Sequence, residues 1–309
     1  MLRESNFMKQ VNIVFCTDKN YAKYLSPLIE SILRNTSYIC NFYVVFSTIN
    51  EEDRQKLNKT VNDFKTSTLY FIKFENINIL NNASLSKYAE TFRGGYDTYS
   101  RLFLTELLLP LGVKKCVYFD IDIIVKGNID CLFDIVENVN YAYGVIDSVT
   151  IKNEQGSKFV SDTYINAGVL VLNLEKLKTI DFAKRCLDFL ITFGKEIKYM
   201  DQDCINYVLG NKYIETIDQK FNEYLPSSKK VKNAVVLHFT GPFKPWMTAT
   251  RWRLKKMCWA KYNIANKLRQ KNIYLSNFQL DLLFKGMSIF RPVFNLVLMA
   301  RLKLLGSGK

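Results

Sequence analysis

Two carboxylates stand inside an apolar run, Tyr118-Phe119-Asp120-Ile121-Asp122-Ile123-Ile124-Val125. Burying either acid unpaired in such surroundings is costly. At strand spacing both point to one side, where like charges raise each other's energy. A divalent cation removes that conflict, and hard oxygen ligands favour Mg²⁺ or Mn²⁺, ions that also bind substrate phosphates. The competing reading is a strand end whose acids are solvated or paired with Lys or Arg. His238, the single histidine of the chain, closes the apolar run Ala234 to Leu237, just before Phe239-Thr240-Gly241-Pro242. A lone histidine is more often a core or surface residue than a ligand, but the end of a strand is where α/β folds place ligand-binding groups. An imidazole beside two carboxylates shifts the preference towards Mn²⁺.

Two further segments carry polar groups at structured positions. Tyr199-Met200-Asp201-Gln202-Asp203 opens a helix with two acids around an amide. First-turn charges that favour a helix N-terminus explain it as well as a functional role does. Ile165-Asn166-Ala167-Gly168-Val169 places an amide and a glycine at the start of a buried strand, where a tight turn is an equally good account.

These groups need a scaffold, and the apolar periodicity supplies one. Buried strands are predicted at residues 12–17, 42–47, 68–74, 117–125, 141–146, 168–174 and 234–239, and helices at 21–32, 51–64, 96–109, 175–193 and 200–209. Alternation of the two indicates an α/β domain with a largely parallel sheet. Residues 76–90 read as an Asn/Ser-rich loop. Gly241-Pro242 and Pro245 break the chain, and beyond Trp246 the pattern changes to basic helices. The expected organisation is a catalytic domain over 1–246 and a basic, aromatic-rich helical extension over 247–309.

Composition narrows the class. At 48% hydrophobic and 23% charged, the 309 residues describe a folded protein rather than a disordered one. Seven cysteines, none in a C-x-x-C pair, fit neither a disulfide framework nor a four-Cys zinc site and suit a reducing compartment. No apolar stretch precedes the first strand, so a signal peptide is not expected. The net charge of +14 is divided unevenly: from Pro226 onward 17 Lys and Arg face one acid, Asp281, while the first 225 residues hold 26 bases and 28 acids.

Taken in order, six stretches resemble glycosyltransferase family 8, retaining, nucleotide-sugar-dependent enzymes of the GT-A fold, and in particular bacterial lipopolysaccharide galactosyl- and glucosyltransferases. They are Ile13 to Tyr21, Thr98 to Leu102, Tyr118 to Val125, Asn166 to Leu170, Asp201-Gln202-Asp203 and His238 to Trp246. The resemblance implies a mixed, mainly parallel Rossmann-like sheet with flanking helices and a UDP-sugar donor. It also implies that Asp120, Asp122 and His238 hold Mn²⁺ (or Mg²⁺) on the diphosphate. Cys16, Thr17, Asp18 and Asn20 would line the uridine site. Arg101, Asp147, Asn166 and Asp201 would lie at the donor sugar, Gln202 nearest its anomeric carbon, and Gly241 with Lys244 at the phosphates. Lys19 departs from a common form of the first motif, which has a second acid before the Asn.

The resemblance further implies a hexosyltransferase acting on a glycan or lipid-linked glycan of the lipopolysaccharide or lipooligosaccharide core. The alternatives weighed beside it are a nucleic-acid-binding protein using the basic tail, for which the main body offers no module, and a metal-dependent nucleotidyltransferase, which usually has a Gly-rich loop where this chain has Thr17-Asp18-Lys19-Asn20. The tail's expected partner is an anionic membrane rather than nucleic acid. Trp246, Trp252 and Trp259 would sit at headgroup depth, and Phe290, Phe294, Leu298 and Leu302 would line one helical face. Packing of these helices on the catalytic domain is the alternative. The expected location is cytoplasmic, peripheral on the inner membrane's cytoplasmic face. The longest charge-free stretch after Arg291 has nine residues, well short of the roughly 20 a spanning helix needs.

Overall fold

The computed structural model describes residues 9–64, 67–74, 99–224, 233–241, 244–247 and 253–289. Strand β1 (Gln10–Thr17) is apolar on both faces: Val14 and Cys16 enter one core, Ile13 and Phe15 the other. Burial on both faces is what a central parallel strand requires. It pairs in parallel with β2 (Ile39–Phe46), which pairs in parallel with β3 (Thr68–Lys73). The crossovers carry α1 (Leu25–Leu33), buried at all nine positions, and α2 (Glu51–Asn62). Three acids in the first turn of α2 complement its dipole, and Leu57 and Val61, one turn apart, face the core.

On the other side of β1 lies β4 (Lys115–Phe119), again parallel. The long fully buried β7 (Ile165–Asn173) then runs antiparallel to β4 and to β6 (Ala142–Ile146), and β8 (Ile214–Thr216) closes the edge parallel to β6. The seven strands have the order β3-β2-β1-β4-β7-β6-β8. The expected mixed, mainly parallel sheet is therefore present.

Two helical segments are more broken than their periodicity predicts. Within 96–109 the described residues form a 3-10 turn at Arg101–Phe103, the short α3 (Leu104–Leu108) and a second 3-10 turn at Leu109–Leu111. After α4 (Asp130–Asp134) and α5 (Ser148–Asn153), the segment 175–193 divides into α6 (Leu174–Thr179) and α7 (Phe182–Phe193), separated at Asp181 with φ 51°. A left-handed residue cannot continue a right-handed helix. The expected loop at 76–90 lies outside the described residues.

The segment 117–125 is the main correction. It is two strands in two sheets, because β4 ends at Phe119 and β5 (Ile123–Val125) leaves to pair antiparallel with β9 (Val236–His238). Asp120 and Asp122 therefore occupy the connecting turn, and strand alternation does not set their directions.

Following α8 (Met200–Tyr213), the C-terminal region supplies α9 (Arg253–Gln270) and α10 (Asn277–Ile289). Helix α9 is docked. Trp259 and Tyr262 pack with Ile124, Leu237 and Phe239, and Asn35 donates to the Tyr262 hydroxyl at 2.8 Å. Arg269 clasps the fully buried Glu30 through Nε at 2.7 Å and Nη2 at 3.0 Å, and Arg34 Nε adds a third bond at 2.7 Å. Trp246 stacks on Tyr24 with centroids 3.9 Å apart and planes at 6°. Trp246 and Trp259 thus pack within the protein rather than at headgroup depth, a correction that follows from the apolar surface β9 offers them. Trp252 and the stripe Phe290, Phe294, Leu298 and Leu302 lie outside the described residues.

Candidate active site

The turn between β4 and β5 is pinned on both sides. The amide of Asp120 donates to the carbonyl of Gly168 at 2.8 Å, and the amide of Phe239 donates to that of Asp122 at 2.9 Å. The β5–β9 register sets Ile123 opposite His238. As a result His238 Nε2 lies 3.3 Å from Asp122 Oδ1 and 3.6 Å from Asp120 Oδ2. One ligand atom from each of the three falls within 4.8 Å of the others. The imidazole rests on Gly168, where an added Cβ would stand 2.1 Å from Cε1. Gly168 lies inside β7, so its smallness serves this contact and no tight turn is involved.

Charge around the triad is balanced by two cations. Arg101 reaches Asp120 Oδ1 through Nη1 at 2.8 Å and Asp201 Oδ2 through Nε at 3.0 Å, and its Nη1 donates to the carbonyl of Ala167 at 3.2 Å. Its guanidinium lies 4.6 Å over the Tyr118 ring, whose hydroxyl donates to Asp120 at 2.7 Å. Burial works against its charge, but Asp120 and Asp201 hold Arg101 well above the usual guanidinium range. Burial pushes Asp201 up to about 6, with Arg101 opposing. Lys244 pairs with Asp122 and donates to the Phe239 carbonyl at 3.3 Å. Burial disfavours the charge of Asp122, yet His238 and Lys244 outweigh it and keep that carboxyl well below the ordinary range. Gly241, after β9, takes φ +81°, a backbone conformation that favours glycine.

A third layer of polar groups surrounds Asp147, which follows β6 and caps α5 by accepting the Thr150 amide at 2.9 Å. It also accepts the Tyr224 hydroxyl at 3.0 Å, Gln202 Nε2 at 3.2 Å and Asn166 Nδ2 at 3.4 Å. Gln202 is turned by the Ala167 amide, which donates to its Oε1 at 3.0 Å. Helix α8 presents Asp201 and Gln202 in its first turn, after Met200 at φ 49°. The second acid of that motif, Asp203, is structural, accepting the Tyr164 hydroxyl at 2.6 Å and the amides of Lys198 and Tyr199 at 2.9 Å each.

These side chains border a cleft of about 550 Å³. It brings together Arg101, Asp120, Asp122, Asp147, Asn166, Asp201, Gln202, His238, Gly241 and Lys244. The expected uridine residues do not line it. Cys16 and Thr17 are buried at the C-terminal end of β1, and Asp18 is engaged within its own turn, accepting the Asn20 amide at 2.9 Å, Asn20 Nδ2 at 3.0 Å and the Tyr21 amide at 3.0 Å. Tyr118, Tyr224 and above all Asn222 belong to the site without having been singled out from sequence. Asn222 Oδ1 lies 2.9 Å from His238 Nδ1, and its Nδ2 donates to Asn166 Oδ1 at 2.9 Å. No spacing rule points to it. It is placed there by the bridge between Glu223 and Leu237.

The donor set fits a divalent ion: two carboxylate oxygens and one imidazole nitrogen, the imidazole being admitted by the missing side chain of Gly168.

Comparison with known proteins gives a consistent picture. The profile of glycosyl transferase family 8 matches residues 12–250. The chain is 28% identical over 250 residues to a putative glycosyltransferase of Haemophilus influenzae, covering 76% of this chain and 73% of the relative. It is 26% identical over 264 residues to a lipopolysaccharide 1,2-glucosyltransferase of Escherichia coli, covering 79% and 75%. Among solved structures, the galactosyltransferase LgtC in complex with donor and acceptor sugar analogues aligns with a TM-score of 0.64 at 23% identity, over 81% of this chain and 95% of LgtC. That likeness establishes a shared fold.

Proposed function

Because this chain belongs to glycosyl transferase family 8, and so is a glycosyltransferase with the GT-A fold it shares with LgtC, we propose that it moves a hexose, glucose or galactose, from a UDP-sugar to a glycan acceptor with retention of configuration. The acceptor class we assign is the lipopolysaccharide or lipooligosaccharide core, in keeping with the relatives it resembles. The observation that carries this reading is the convergence of Asp120, Asp122 and His238 on the cleft that also holds Asp147, Asn166 and Gln202.

Asp120, Asp122 and His238 would hold Mn²⁺, with Mg²⁺ as the alternative. Bound there, the ion supplies positive charge to the donor diphosphate as the sugar–phosphate bond breaks. Lys244, preorganised beside Asp122, adds charge where negative charge develops. Arg101 neutralises Asp120 and Asp201, so the site accepts an anionic diphosphate without a surplus of carboxylates. Asp147 and Asn166 offer polar groups to the sugar hydroxyls, and the turn Cys16, Thr17, Asp18 and Asn20 is assigned to the uridine, at the strand ends where α/β sheets bind nucleotides.

Gln202 is a neutral amide and a poor nucleophile. Its orientation by Ala167 and Asp147 suits a group that stabilises charge at the anomeric centre rather than one that attacks it. We therefore assign front-face transfer, in which an oxygen of the departing phosphate takes the proton of the acceptor hydroxyl.

The catalytic domain is assigned to 1–246 and the extension to 247–309, with the part of the extension beyond the docked α9 facing an anionic membrane on its cytoplasmic side. Two features support that partner: the basic excess beyond Pro226, and Phe278 and Leu282, exposed one turn apart on α10. Among the described residues no helix is long and apolar enough to cross a membrane.

The test is a screen of UDP-sugars for Mn²⁺-dependent hydrolysis and transfer. Asp120→Asn and Asp122→Asn are each expected to lose about 100-fold or more. Wild-type activity in both variants would sink the metal assignment, and a covalent glycosyl adduct on Asp201 or Asp147 would overturn front-face transfer.

A further inference from the structure

We propose that Asn222 is a positioning residue: with Asn166 it forms a one-way hydrogen-bond relay from Asp147 that keeps a proton on Nδ1 of His238 and reserves Nε2 for the metal. The inference rests on the metal-site reading above and concerns the residues that prepare the ligand.

The relay's direction follows from what each group can donate. Four donors converge on the two oxygens of Asp147: the Thr150 amide, the Tyr224 hydroxyl, Gln202 Nε2 and Asn166 Nδ2. A carboxylate so surrounded is an acceptor only, so Asn166 must turn its NH₂ towards Asp147. The opposite end of the same amide is fixed independently, because the Gly168 amide donates to Asn166 Oδ1 at 3.0 Å. That oxygen also accepts Asn222 Nδ2 at 2.9 Å, so the Asn222 amide is oriented in turn and presents its Oδ1 to His238 Nδ1 at 2.9 Å. An amide oxygen only accepts, so the proton of that bond sits on Nδ1.

Reversing one member sets like against like inside the relay, and the one opposing contact, an unprotonated Nε2 facing Asp122 Oδ1 at 3.3 Å and Asp120 Oδ2 at 3.6 Å, is relieved when a cation sits between them. An Nε2–H tautomer with a bare Nδ1 would require Asn222 to flip. Asn166 would then have to flip as well, bringing its NH₂ against the Gly168 N–H and its oxygen against Asp147. Asn222 is fully buried, Asn166 and His238 nearly so, and water therefore offers these groups little relief. Neutral histidine in water favours the proton on Nε2, so the relay imposes the less common tautomer, the one that leaves Nε2 facing Asp120 and Asp122 able to coordinate. It also joins the group assigned to the donor sugar, Asp147, to the metal ligand through two amides.

The chain has a single histidine, so ¹⁵N-histidine labelling of the full-length protein reports one ring. A long-range ¹H–¹⁵N correlation spectrum of the metal-free protein, at a pH where the ring is neutral, is expected to show a protonated Nδ1 and a bare Nε2. In Asn222→Leu the ring should revert to the Nε2–H form, and the Mn²⁺ dissociation constant should rise about 10–100-fold. An Nε2–H tautomer in the wild type overturns the relay, and that spectrum decides the matter even if the variant does not fold. A folded Asn222→Leu protein that keeps the Nδ1 proton overturns it as well. Wild-type protein with the Nδ1 proton but no Mn²⁺ binding removes the metal reading, and the relay's purpose with it, a failure the spectrum distinguishes from the first.

Discussion

Asp201 illustrates how a side chain's surroundings decide its chemistry. In the sequence it is one of two first-turn acids of a helix, but in the fold it is buried, held up to about 6 by that burial with Arg101 opposing. A carboxyl whose folded pKa exceeds its unfolded value near 3.8 stabilises the fold only at low pH. Between the two values the unfolded chain has released a proton the native state keeps, so stability falls as pH rises from about 4 through 6, by roughly 3 kcal/mol in total. Urea unfolding across pH 4–7 should show that decline in the wild type and lack this component in Asp201→Asn. Superimposable profiles would refute it. Gly168 makes a steric prediction of the same grain. With 2.1 Å available to Cε1 of His238, Gly168→Ala must displace the imidazole. Mn²⁺ affinity should fall by at least about 10-fold, and overpacking in this buried strand should cost about 1–3 kcal/mol of stability, as calorimetric titration and urea unfolding would show. Residue types alone made Asp120, Asp122 and His238 legible as candidate ligands. Asn222 was not, because an asparagine sixteen positions before the histidine has no spacing rule to mark it.

At the scale of elements, local pattern predicted strands and helices where side chains repeat, and failed where the chain breaks. The apolar run through 117–125 reads as one strand, since periodicity does not register that Phe119 belongs to one sheet and Ile123 to another. Likewise Asp181 at φ 51° divides a segment whose apolar spacing is continuous. The basic C-terminal helices show the reverse: their charge suggested a membrane surface, yet α9 places Arg269 in the interior against Glu30, with its guanidinium 4.3 Å over Phe64. Both partners of this clasp are nearly excluded from solvent. Glu30→Ala removes the buried counter-charge of two guanidinium groups, leaving Arg34 on the Leu275 carbonyl and Asn277, and Arg269 on Asp63 at 3.6 Å, and should lower stability by about 3 kcal/mol in urea unfolding. A loss below about 1 kcal/mol would mean that α9 is held by its apolar face alone.

For the molecule as a whole, the net charge of +14 joins a slightly acidic body to a strongly basic end, and the structure divides that end again. Helix α9 is part of the folded unit, and α10 is tied to it through the buried Leu280, the Lys261–Asp281 pair and the bonds of Asn277 with Arg34, while exposing Phe278 and Leu282. Truncation after Lys271 keeps every contact of α9 with the catalytic domain described above. It should leave donor hydrolysis within about twofold of the full chain and abolish sedimentation with anionic vesicles, an association that about 0.5 M salt should also weaken in the intact protein. Vesicle binding that survives truncation would move the membrane contact elsewhere. What the amino-acid order determined by itself was whatever is encoded within a few residues: the α/β class, the ligand types, the uneven charge and the six motifs that carry the family resemblance. Only the tertiary structure decided which of those residues meet. The register of β5 on β9 joins Asp122 to a histidine more than a hundred positions away, and the bridge at Glu223 adds Asn222 behind it. Such meetings depend on pairing between distant segments, whose energy is shared across the sheet and leaves no local trace in the sequence.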